Sequence, residues 1–195
     1  LHYGLTKTSA IIGSCLLIFL CIQVGAKKYI PGLYWLTVVL ISIVGTLITD
    51  NLTDNFGVDL QISTAIFGSL LALTFAAWYA SEKTLSIHTI YTLKRECFYW
   101  AAILFTFALG TAAGDLVAEN LSLGYIVSGL IFGSMIAAIA MIQYLFKTNA
   151  ILTFWIAYIL TRPFGASFGD YLSQPVENGG LGLGTVITSG AFLFI

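Results

Sequence analysis

Charge is what this sequence has least of. Asp, Glu, Lys and Arg make up 9% of the 195 residues, against about 25% in a typical soluble protein. That scarcity excludes an ordinary water-soluble surface, because a chain with 58% hydrophobic residues would leave large apolar patches in water. The mean hydropathy of +0.94 agrees. A net charge of −1 leaves no basic stripe, so nucleic acid is excluded as a partner. The three cysteines, Cys15, Cys21 and Cys97, form no CxxC and have no histidine cluster beside them. They read as apolar fillers, and thiolate zinc or copper sites are disfavoured. HExxH, GxSxG and phosphate-loop motifs are also missing, so the chain is expected not to be an enzyme. No cleavable signal pattern opens the sequence.

What is there instead is long apolar runs and 19 glycines. Helices of about 20 apolar residues can cross a bilayer, and seven candidate segments follow one another: about 8–25, 33–51, 61–80, 97–117, 121–146, 150–172 and from about 182. Soluble buried helices would need a polar face that most of these lack. Barrel strands would be shorter and alternate polar with apolar. Between the segments, connections of two kinds alternate. Those at 50–60, 115–122 and 170–182 are Gly-rich or acidic. The others carry Lys27, Lys28, Lys83, Lys94, Arg95 and Lys147. The positive-inside rule places the basic set in the cytoplasm and the acidic set outside, with Lys7 as the exception. Trp35, Trp100 and Trp155 stand near the cytoplasmic starts of segments two, four and six, as an interfacial aromatic belt would.

The clearest signal is an internal repeat. Trp35, Gly45 and Asp50 have the spacing W-x9-G-x4-D, which recurs ungapped at Trp100, Gly110 and Asp115 and again at Trp155, Gly165 and Asp170. A second glycine follows each acid: Gly68 and Gly133 both come eighteen residues on within IFGS, and Gly190 comes twenty on. IIGS, with Gly13, fits the same plan. Its matching acid would fall before residue 1, so the start is expected to be the tail of a copy. The fold class expected is therefore an all-α integral membrane protein of parallel, repeated two-helix hairpins, with pseudo-rotational symmetry about the membrane normal. It forms a single transmembrane domain over 1–195, with copies or remnants at about 1–25, 33–80, 97–146 and 151–195. The cytoplasmic linker 81–96 reads as an amphipathic helix on the membrane surface. Gly45, Gly68, Gly110, Gly133 and Gly165 are assigned to helix packing, where glycine lets backbones approach, and such faces would serve a homo-oligomer equally.

The repeated acids carry the functional expectation. An ionisable group within a membrane segment is costly and points to function. Fifteen residues separate each Trp from its Asp, roughly 22 Å of helix, so the acids lie towards the outer face. Asp54 and Glu119 follow Asp50 and Asp115 by four, on the same helix face. With Thr46, Thr49, Asn51, Thr111 and Ser167 these supply hard oxygen ligands, suited to a proton or a divalent cation. The expected function is membrane transport of a cation or proton-coupled substrate. Asp50, Asp54, Asp115, Glu119, Arg162 and Asp170 line its path, and Asp50, Asp115 and Asp170 are the metal ligands, with a bound divalent cation as the one cofactor to consider. Arg162, next to the helix-interrupting Pro163, would pair with a carboxylate or meet an anion in a central cavity. The alternative is a non-catalytic scaffold or interaction protein, whose acids cap and anchor the outer loops. An aspartyl dyad is disfavoured, because the acid recurs in every copy.

The segments GTLITDNL, GTAAGDLVAENLSLGY, SEKTLSIHTIYTLKRECFYWA and TRPFGASFGDYL resemble a family of bacterial membrane-anchored proteins of uncharacterised function, built from four copies of a membrane repeat of unknown function. The resemblance covers essentially the whole chain. It implies the bacterial inner membrane, the lipid bilayer as partner and a four-copy plan, in which the first copy carries a related small-residue and acid motif. It implies no activity.

Overall fold

The computed structural model describes residues 4–26 and 28–193. Tyr3, Lys27 and the last two residues of the terminal apolar run lie outside the described residues. Among those described, the chain is all-helical, with seven α-helices: α1 (Gly4–Gly25), α2 (Pro31–Asp50), α3 (Leu60–Glu82), α4 (Leu93–Asp115), α5 (Gly124–Phe146), α6 (Ala150–Ser173) and α7 (Gly184–Leu193). Six of them are long and apolar enough to cross a membrane. Large apolar side chains such as Leu17, Leu73 and Leu130 are exposed along them, a surface that suits lipid and not water. The chain is thus a multi-pass membrane protein.

Local chemistry sets the helix ends. Pro31 opens α2 at a position where its missing N–H is no loss, after an extended Ile30. The Asn149 side chain accepts from the backbone N–H groups of Ile151 and Leu152 and so caps α6. Lys83 and Lys147 end α3 and α5 in the left-handed region, at φ 56° and 46°, a conformation that stops a helix in one residue. The helix α6 continues through Pro163, which is buried.

The chain divides into two compact units, Leu1–Leu109 and Gly110–Ile195, and the division falls inside α4. In the first unit α1 packs along α2. The backbone of α2 comes so close to α4 at Gly45 that an added Cβ would stand 2.7 Å from Phe107 Cβ and 3.1 Å from the Ala108 nitrogen. One turn on, the buried Thr49 hydroxyl donates to the Ala108 carbonyl at 3.0 Å. In the second unit α5 packs along α6, and α7 also touches α6. There Gly110 of α4 meets Arg162 of α6 so closely that an added Cβ would collide with Arg162 Cβ. One turn on, Gly114 faces Ala166 and Pro163. Gly133 of α5 lies against the Phe164 ring, 3.1 Å from the place a Cβ would take, and Gly68 of α3 faces Leu109 more loosely at 3.9 Å.

These contacts repeat. Gly45 and Gly110 occupy the same place in successive copies, and so do Phe107 and Arg162, which stand eight residues before Asp115 and Asp170. Each unit therefore contains the same step: the glycine of one copy's first helix against the next copy's first helix. Gly165 holds that place in α6, and nothing lies within 4 Å of the position a Cβ would take there.

Two expectations are corrected. The linker 81–96 is not an amphipathic helix. The α3 helix runs to Glu82, Lys83 turns it off, and a single 3-10 turn at Ile87–Thr89 follows before α4 begins at Leu93. Hydroxyl side chains compete for its backbone: Ser86 accepts from the His88 N–H, and Thr89 donates to the Ser86 carbonyl. The linker is held to α3 instead, because Arg95 and Lys94 both pair with Glu82, at 2.8 and 3.5 Å. The three tryptophans do not form one belt either. Trp35 is 60% exposed, whereas Trp100 and Trp155 are 4% and 3% exposed and pack inside the protein.

Gly45→Ala and Gly110→Ala should each destabilise the fold by about 1–3 kcal/mol, the usual cost of overpacking a filled contact. Gly165→Ala should change it by less than about 0.5 kcal/mol. Reversible unfolding in mixed micelles, followed by circular dichroism, measures all three.

Candidate functional site

The acids stand where helices change character. Asp50 is the last residue of α2 and Asp115 the last of α4. Each runs on into a five-residue π-helical turn, Asn51–Asn55 and Leu116–Asn120. The wide turns are closed by the Phe56 N–H on the Asn51 carbonyl at 3.2 Å and the Leu121 N–H on the Leu116 carbonyl at 2.9 Å, the i to i+5 pattern that defines them. Asp170 has no such turn. It lies inside α6, three residues before the helix ends, and the loop behind it folds back so that Leu181, Gly182 and Leu183 donate to the carbonyls of Tyr171, Gln174 and Leu172.

None of the six acids and bases predicted for an ion path is buried. Asp50, Asp115, Arg162 and Asp170 are part-exposed, and Asp54 and Glu119 are exposed. Within each pair the first acid is sheltered and the second faces out. Glu119 accepts from the Tyr125 hydroxyl of α5 at 3.0 Å, which fastens the π turn to the next helix. Asp54 accepts from Thr53 at 3.3 Å, and neither Asp50 nor Asp115 caps its turn through its side chain. The Asn51 amide bridges α2 to α1, donating to Ser9 Oγ at 2.8 Å and to the Leu47 carbonyl. The Arg162 guanidinium donates to the Tyr158 hydroxyl at 2.5 Å and lies 4.6 Å over that ring, so it is engaged one turn back along its own helix.

Among the described residues no three of His, Cys, Asp and Glu gather closely enough to hold a metal ion. This overturns the expectation of an acid-lined transport centre with Asp50, Asp115 and Asp170 as metal ligands. A hard cation needs six or more oxygens converging on one point. Here Asp50 and Asp115 end separate helices, Asp170 lies inside α6, and Glu119 accepts from Tyr125. The repeat places an acid in each copy without gathering the acids into a metal-binding group among the described residues.

The opposite ends of the helices hold a recess that the sequence did not advertise. A cavity of about 960 Å³ is lined by the end of α1, the start of α2, the linker and the start of α4. On its wall the Gln23 amide and the Trp100 indole N–H both donate to Glu96 Oε1, at 3.4 and 3.2 Å. The Tyr34 and Tyr99 hydroxyls share a hydrogen bond of 2.5 Å, and their rings pack on Trp100 with centroids 5.6 and 5.1 Å away. The signal in the sequence was Glu96, a lone acid between the basic linker and Trp100. A second, smaller and mainly apolar recess of about 530 Å³ lies beside Asn51, between Ser9, Leu47 and Phe56.

The sequence profile described as Repeat of Unknown Function (DUF347) matches residues 33–84, 98–149 and 153–195. The chain belongs to this family. No curated protein and no solved structure matches it. Each DUF347 stretch begins two residues before its tryptophan and takes in one hairpin: α2 with α3, α4 with α5, and α6 with α7. The helix α1 lies outside the three matched stretches. The close glycine step therefore joins consecutive DUF347 copies, and the acid marks the bend of each hairpin.

Tyr125→Phe removes the donor to Glu119 and should cost about 1 kcal/mol, less than the usual range for a hydrogen bond to a charged group because Glu119 is exposed. Limited proteolysis at 116–123 should quicken in the variant, while cleavage in the linker 81–96 should not.

Proposed function

We propose that the protein is a non-catalytic scaffold of the bacterial inner membrane that assembles through its DUF347 copies. The glycine step supports this reading. Gly45 meets Phe107 and Gly110 meets Arg162, whereas Gly165 and Gly169, four residues apart on α6, have nothing within 4 Å. Two glycines at that spacing make a face that invites a second helix backbone. The helix that fits it is one bearing the residues that correspond to Phe107 and Arg162. In this chain that is α2, at Ser42, which is part-exposed. The occupant is thus α2 of a second copy of the chain. The contact is head-to-tail, so two chains that each offer both faces can close on one another. In this reading the copies are related by rotation about the membrane normal. The basic connections face the cytoplasm and the acidic ones the outer side, following the positive-inside rule. The repeated acids serve the outer turns, as Glu119 does through Tyr125.

The test is assembly in lipid. The protein in nanodiscs or native vesicles should form a disulfide between Ser42→Cys and Gly165→Cys introduced together. Light scattering should give twice the chain mass. Gly165→Leu with Gly169→Leu should return it to one chain without loss of helix content. A protein that stays single at all concentrations, with no more cross-linking than Cys15, Cys21 and Cys97 produce by themselves, would sink the reading.

A further inference from the structure

We infer that the recess at the end of α1, α2 and α4 binds an organic ammonium group: the headgroup of a zwitterionic phospholipid or its free phosphorylated amine. Glu96 supplies the charge. It is part-buried, and both hydrogen bonds it accepts from side chains fall on Oε1, which leaves Oε2 for a ligand. Its neighbours Lys94 and Arg95 turn away to Glu82, and no Lys or Arg forms a salt bridge with it among the described residues. A sheltered carboxylate without a cation is costly, and a cationic ligand offsets that cost.

The walls suit the same ligand. Tyr34, Tyr99 and Trp100 line the recess together with Glu96, with ring centroids within 5.6 Å of one another where they touch, and Tyr29 extends the cluster at 5.6 Å from Tyr34. Aromatic faces beside a carboxylate bind alkylammonium ions through the ring quadrupole, which a metal ion with a tight water shell exploits poorly. Gln23 strengthens the case for a built site: it lines the recess, it is 8% exposed, and its Oε1 has no hydrogen-bond partner. Lys28 and His88 also line the recess. They oppose a bare cation but match a headgroup that carries phosphate next to its amine. The volume of about 960 Å³ lies at the upper end of the range for small-molecule sites, about 300–1,000 Å³, and holds a headgroup with part of its glycerol. The position is also right for lipid, because the recess opens where apolar helices end, at headgroup depth.

The experiment uses the full chain, stripped of lipid in detergent, and tryptophan fluorescence. Phosphocholine and phosphoethanolamine are titrated in solution; phosphatidylethanolamine is titrated in nanodiscs against phosphatidylglycerol. Saturable quenching by the soluble amines supports a free ligand, and quenching confined to phosphatidylethanolamine supports a lipid headgroup. In either case Glu96→Gln should weaken binding at least tenfold, Glu96→Asp should restore part of it, and Asp54→Asn at the other end should have no effect. Equal affinity for Glu96→Gln and the parent, or equal response to phosphatidylglycerol, overturns the inference. Unchanged helix content and a monodisperse elution profile in each variant show that loss of binding is not loss of fold. Because this readout does not depend on self-association, its failure leaves the scaffold reading standing, and the reverse holds.

Discussion

The structure depends on a missing side chain. At Gly45 and Gly110 two helix backbones meet at a distance that not even a methyl group tolerates. Lipid tails are as apolar as leucine, so helices in a bilayer gain little from burying apolar surface and must associate through close contact and hydrogen bonds. The glycine step supplies both. It brings α2 near enough to α4 for Thr49 to reach the Ala108 carbonyl across the interface. On the second unit it seats Gly110 over the Arg162 backbone, with Gly114 against Ala166 behind it. The α4 helix takes part in both steps, once as the receiving helix and once as the glycine-bearing one, and it is the most buried of the six long helices.

The two ends of the helices do different work with few charges. At one end each acid marks a bend, and two of the three bends are opened into π turns. A carboxylate there is useful without being buried, since it can hold the turn, as Glu119 does, while water covers the rest. At the other end one carboxylate, Glu96, sits among aromatic rings with its neighbouring cations drawn off to Glu82. The contrast shows why recurrence alone misleads. A residue repeated in every copy can serve each hairpin separately, whereas a ligand site needs different residues brought to one place.

Much of the helical architecture was legible in the sequence. Runs of apolar residues specify helices wherever backbone groups must be satisfied internally, and the seven segments match α1 to α7 within a few residues. The repeat was legible because ungapped motifs preserve spacing, and the three family matches begin at the same offset from Trp35, Trp100 and Trp155. The linker was not legible, because its apolar residues have helical spacing, while Ser86, Thr89 and the left-handed Lys83 favour a turn. Nor was the difference among the tryptophans. They share a motif position but not a neighbourhood: Trp100 is buried against Tyr34 and Tyr99, while Trp35 is left facing out.

The sequence by itself determined that this is a multi-pass helical membrane protein of repeated hairpins, because hydropathy and motif spacing are properties of the chain read in order. Only the tertiary structure decided which residues act together. It joined Gln23, Tyr34, Glu96, Tyr99 and Trp100, 77 positions apart at the extremes, into one recess, and it kept the repeated acids from forming a metal centre. The physical reason is that convergence depends on how helices rotate and approach, and that is set by where glycine lets backbones touch.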